Sequence, residues 1–173
     1  MNSGRSGAIS AFKDTLGGAV ATAVAASAFS TDSFVTNGMS AILYELKAAD
    51  IALRRSHRDD VRAFAQRMHD DFGTMKNELG SFLGGTIGPT APPEKPMKLH
   101  QVLLDDLEGV RDADFDGLYI TQQKLAHLEA ITLFKTFHKF GDNDGLKNLC
   151  HLGLPVLEEH AQMADRLDDA LDD

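Results

Sequence analysis

The chain has 173 residues, with 17 Lys and Arg against 26 Asp and Glu, for a formal net charge of −9. That length suits one domain, and 43% hydrophobic with 25% charged residues is the balance of a folded globule rather than a disordered chain. The acidity excludes a broad attraction to phosphate backbones, so no nucleic-acid partner is expected, and the single cysteine, Cys150, excludes an intramolecular disulfide and any CxxC zinc or iron–sulfur site within one chain.

Residues 1–31 stand apart from the rest. Arg5 and Lys13 flank a small-residue run at 16–28 that ends in Ala26-Ser27-Ala28. The run has the length of a secretory apolar region and its end has the small-x-small form of a leader cleavage site, which points to a periplasmic or exported protein. The same stretch also reads as an extra amphipathic helix, because Ile9, Phe12, Leu16, Ala19, Val20 and Ala23 recur at helical spacing. On that reading the protein is cytoplasmic, and the small-residue face suits packing against a second copy or a protein partner. The run is too short for an integral membrane span.

From Asp32 onward the periodicity is helical. Asp32 is expected to cap a first helix with Phe34, Gly38, Ala41, Ile42, Ala48, Ala49 and Ala52 on its apolar face. Ser56 and Asp59 have capping-box spacing and open a second, with Val61, Phe64, Ala65, Met68, Phe72, Met75, Leu79 and Phe82 aligned. Gly84-Gly85 ends it, and Gly88, Pro89, Pro92, Pro93 and Pro96 make a long connection. A short helix over about 98–110 fits inside that connection. Asp114 is expected to cap a third long helix carrying Phe115, Leu118, Tyr119, Ala126, Leu133, Phe137 and Phe140. After the turn at 141–145 a fourth follows with Leu146, Cys150, Leu157, Ala161, Ala164, Leu167 and Leu171, kinked at Pro155 and ending in a solvated acidic tail. No stretch alternates as a strand does. The fold class is therefore all-α: four long helices over 32–173, with one long crossover between helices 2 and 3, which is the ferritin-like four-helix arrangement.

Several polar residues fall on the apolar faces. Glu45 lies on the first stripe, Asp71 beside the second, Gln122 and Glu129 on the third with His127 on its flank, and His160 on the fourth. Counted from helix starts at 32, 58, 114 and 144, the offsets of Glu45, Asp71 and His127 are each 13 and that of His160 is 16. At ~1.5 Å per residue these are mid-helix positions, which meet at one level whichever way the helices run. Buried charges need a partner, a hydrogen bond or a metal. Glu45, Asp71, His127, Glu129 and His160 are thus candidate ligands for Fe, Mn or Zn, with Tyr119 as a hydrogen-bond donor behind them; an ordinary buried hydrogen-bonded network is the competing reading. The Glu-x-x-His repeat of di-iron bundles is absent, which argues against a ferroxidase site. His69, His100, His138 and His151 have no ligand-spaced partner and read as surface or structural. His57 with Arg54, Arg55 and Arg58 forms a basic turn, read first as a solvated charged turn and in the alternative as an anion site at the start of the second helix.

Glu45 with Ile51-Ala52 and the run at 61–71, the run at 115–127, and Leu154 to His160 with Ala164 and Leu167 together resemble an uncharacterised bacterial ferritin-like family, a DUF4142-type group often found in exported proteins. The resemblance implies a ferritin-like fold and an envelope location, and supplies no reaction. The family shows Asp-His where this chain has Asp71-Phe72, with a Glu at Glu45 and a His at His127 and His160. One imidazole is therefore replaced here, and His69 shares its helix face. The expected function is a bundle protein that binds metal at its mid-level, with stress or envelope associations and no catalytic residue. The alternatives are a metal-dependent oxidase and a structural protein assembling through its N-terminal segment.

Overall fold

A computed structural model describes residues 30–85 and 91–172. The N-terminal run read as a leader or helix, and Gly88-Pro89 of the connection, lie outside the described residues. The elements are α1 (Thr31–Arg55), α2 (Asp59–Gly85), α3 (Lys98–Gly109), α4 (Asp112–Phe140) and α5 (Asp144–Asp172). No strand occurs among the described residues. None of the described helices is long and apolar enough to cross a membrane.

The stripes fold as their periodicity dictates, and the start signals differ in detail. Ser30, not Asp32, caps α1: its side chain accepts from the Ser33 N–H, and Asp32 sits in the first turn facing the helix dipole. Ser56 is not a capping box. It is buried at the C-terminal cap of α1, where its N–H donates to the Ala52 carbonyl and its hydroxyl accepts from Arg58 N. α4 begins two residues before Asp114, which instead pairs with Arg111. At α5 the Asn143 side chain accepts from Leu146 N at 3.0 Å. α5 continues through Pro155, which has no N–H to offer the His151 carbonyl. The acidic end is helical rather than a tail. Asp165 and Asp168 hold Lys124 of α4 at 3.1 and 2.6 Å.

The antiparallel pairs α1–α2 and α4–α5 pack closely, α1 lies along α4, and α2 meets α5 less closely than α1 meets α4. α3 lies in the crossover against α1 and α4. One apolar core joins them. Phe34 stacks on Phe137 with ring centroids 4.3 Å apart, and Tyr119 meets Phe64 and Phe115, each at 6.1 Å. Burying each such side chain contributes about 1.5–3 kcal/mol. Phe140, expected inside, is 51% exposed.

The crossover is fixed by polar contacts. Arg55 donates to the Leu107, Glu108 and Val110 carbonyls at the end of α3, pairs with Asp112 and lies 4.9 Å over the Phe115 ring. Arg54 pairs with Glu108 and Arg58 with Asp60. The guanidiniums of the turn are therefore engaged by the protein itself, while Arg54 and His57 stay exposed, as a solvated charged turn requires.

Candidate functional site

Each long helix sends one polar or aromatic group to the same level of the core. Glu45 of α1 is buried, and its Oε1 lies 3.9 Å from His127 Nδ1 of α4. The His127 and His160 rings are 5.4 Å apart at 82°. His160 of α5 lies 2.8 Å through Nε2 from Asp71 Oδ2 of α2. The mid-helix arithmetic thus brings Glu45, His127, His160 and Asp71 into one continuous line of contacts. Glu129 points elsewhere: its Oε2 is 3.7 Å from His100 Nε2.

The hydrogen bonds set the tautomers. His127 Nδ1 lies 2.8 Å from the Gln123 carbonyl oxygen. A carbonyl only accepts, so Nδ1 carries the proton and Nε2 keeps a lone pair. Asp71 accepts from His160 Nε2, which leaves the His160 Nδ1 lone pair. Both of these free nitrogens, together with Glu45 Oε2, Tyr119 Oη and the Gln123 amide, are buried without a hydrogen-bond partner. Fewer than a tenth of buried polar atoms are usually left so, and here they share one region.

Electrostatics follow from burial. Desolvation pushes the Glu45 carboxyl up to about 8, with Glu129 adding to it; the Gln123 amide is near enough to oppose this while forming a hydrogen bond with neither atom. Burial, with His160 next to it, takes His127 down to about 4, and burial also lowers His160 against the pull of Asp71. Although burial opposes it, Arg67 and then His160 hold the Asp71 carboxyl below its usual range. Arg67 also reaches Glu159 at 3.6 Å. Near neutral pH the interior is therefore an uncharged acid beside uncharged imidazoles, and the fixed charge stays at Asp71–Arg67 on the rim.

Phe72 completes a triangle of rings with the two imidazoles, 5.7 Å from the His127 ring and 5.8 Å from the His160 ring. Outside, a groove of about 700 Å³ runs between α2 and α5, with Asp71 in its wall among Met75, Glu78, Leu149 and Val156. Beneath α3 lies a second polar cluster that the sequence did not signal. Ser40 accepts from Met97 N at 2.7 Å and is hydrogen-bonded to His100 Nδ1 at 2.7 Å, and His100 stacks on Tyr44. The Tyr44 hydroxyl donates to Gln122, whose amide reaches the Leu103 carbonyl. Of the two roles open to His100, surface or structural, it has the structural one: it is buried and closes this network. The signal for it was only a polar residue at a helical offset from Leu103, Leu104 and Leu107. Cys150 is buried and its thiol is pushed up to about 12, as befits a small core hydrophobe.

Among the described residues, no three His, Cys, Asp or Glu side chains stand close enough together to hold a metal ion without moving. Two of them have suitable spacing. With Zn–N bonds of about 2.0–2.1 Å, two imidazoles on one tetrahedral ion have ring centroids roughly 5.2 Å apart. His127 and His160 are at 5.4 Å. Glu45 lies on the Nδ1 side of His127, so it reaches an ion at Nε2 only after a side-chain rotation.

Residues 17–167 match the family described as Domain of unknown function (DUF4142), and the chain belongs to that family. No curated protein and no solved structure matches it.

Proposed function

We propose that this protein is a non-catalytic bundle of ferritin-like plan that binds a transition-metal ion between its two helical hairpins. His127 and His160 supply the first two ligands, Glu45 rotates to become the third, and Asp71 and the Gln123 carbonyl orient the imidazoles from behind. The observation that carries this reading is the pair of buried lone pairs at His127 Nε2 and His160 Nδ1, each with its other ring nitrogen fixed by an acceptor. That is the arrangement in which metal-ligating histidines are held by an outer carboxylate or carbonyl. Imidazole with carboxylate suits Fe, Mn or Zn. Four long helices with two tight turns and a long crossover support the ferritin-like plan.

The test is metal analysis of tag-free full chain purified without chelator. Close to one Fe, Mn or Zn per chain is expected, falling to background in Glu45→Ala/His160→Ala, with circular dichroism confirming that the variant is folded. Substoichiometric metal, unchanged in the double variant, overturns the reading. A second reading, a purely structural polar core, is favoured by the fact that no three ligands converge as placed. It predicts that same metal-free outcome. Bound iron accompanied by oxygen consumption would instead support the oxidase alternative.

A further inference from the structure

Two histidines outside the core are paired across the α4–α5 hairpin. His138, near the end of α4, and His151, in α5, are both exposed. Their rings are 5.3 Å apart and within 24° of parallel. His138 Nδ1 lies 3.0 Å from the Lys147 carbonyl oxygen, so in the neutral ring Nδ1 carries the proton and Nε2 keeps its lone pair. The Lys147 ammonium is directed to Asp144 at 3.3 Å.

We propose that His138 and His151 form a surface two-imidazole clamp for a late first-row divalent cation, separate from the core site and independent of it. The ring spacing is already that of two imidazoles on one tetrahedral ion, about 5.2 Å. The aim of the rings is not yet that of a site, because near-parallel rings do not direct two lone pairs at one point. A turn of the exposed His151 ring about χ2, a broad torsion, supplies the missing angle, while Lys147 keeps His138 in place. Water completes the coordination. Imidazole donors select Cu, Ni and Zn among such ions, and Cu²⁺ binds most tightly in that series. The ion would link the last turns of α4 to the first turns of α5. Neither histidine carried this signal in the sequence, since they are ligand-spaced only once the hairpin has formed.

The experiment is calorimetric titration of tag-free full chain with Cu²⁺, Ni²⁺ and Zn²⁺, alongside His138→Ala, His151→Ala and two controls, at the exposed His57 and the half-buried His69, His57→Ala and His69→Ala. A micromolar Cu²⁺ site is expected, weakened at least tenfold in either clamp variant and unchanged in both controls. The clamp residues are exposed, so their variants keep the fold, which circular dichroism checks. In the Zn²⁺ titration the ring resonances of His138 and His151 shift together. Absence of a site in the wild-type chain, or a site that survives both clamp substitutions, overturns the proposal. So does a site that His127→Ala and His160→Ala, titrated in the same series, remove while both clamp variants keep it, because that ion belongs to the core.

Discussion

Glu45 and His127 are buried side by side, and burial moves their proton affinities in opposite directions, to about 8 and about 4. The acid therefore holds its proton more tightly than the base can take it, and the contact at 3.9 Å joins neutral groups rather than an ion pair. The consequence for stability has a definite sign. Glu45, with an ordinary value of 4.5, binds more protons folded than unfolded, so its contribution is complete below 4.5 and is lost as pH rises toward 8. His127, with an ordinary value of 6.5, binds fewer when folded, so its contribution is present above 6.5 and is lost as pH falls toward 4. Each slope is about 1.4 kcal/mol per pH unit. Between 4.5 and 6.5 the two slopes cancel, so metal-free protein should be most stable there and weaken from 6.5 to 8. His160, also lowered, adds its own loss as pH falls below 6.5, so the maximum lies toward the upper end of that window. Glu45→Gln keeps a neutral group of the same shape and should abolish the alkaline loss. Thermal melts in chelator from pH 5 to 8.5 check this, and an alkaline arm that persists in Glu45→Gln would sink the account.

The helices themselves were legible because their apolar stripes are long and regular. Residues such as Phe64, Met68 and Phe72, or Leu157 and Ala164, lie inside as their spacing requires. The ends were less so. Ser30 and Asp32 are both competent caps, and which one is used depends on the Thr31 contacts to Asp142 across the molecule. The same holds for the site. Its level followed from helix offsets, but Glu129 turned to His100 because of where α3 lies, and a short helix in a proline-rich crossover cannot be docked from periodicity alone. Arg55 is the residue that docks it. Its side chain is 15% exposed and serves three carbonyls, a carboxylate and an aromatic face together. Lys keeps the charge and loses the fork. Arg55→Lys should therefore cost about 1.5–3 kcal/mol, with hydrogen exchange quickening in α3 more than in α2. A urea midpoint unchanged from wild type, or exchange that quickens uniformly, would show that α3 is held by its leucines instead.

At the scale of the whole molecule, two close hairpins meet along a seam, and the polar groups lie on it: Glu45 opposite His127, and Asp71 opposite His160. The α2–α5 side of that seam is the thinner and opens to the groove walled by Asp71. An ion bound there would join the hairpins where packing joins them least, so its binding energy would appear as stability of the whole bundle. Phe72 decides how strongly. Its ring faces both imidazoles from under 6 Å, only slightly beyond the spacing of two rings on one ion, yet it offers no lone pair. Phe72→His places a third nitrogen donor toward the same point. Without metal the variant should lose about 2–4 kcal/mol, since an apolar ring that is 3% exposed gives way to a smaller polar one. With Zn²⁺ the loss should be recovered, and competition against a chromogenic chelator should show affinity raised at least tenfold over wild type. If the folded variant binds Zn²⁺ no more tightly than wild type, the lone pairs of His127 and His160 do not face a common ion, and the seam is a structural polar layer.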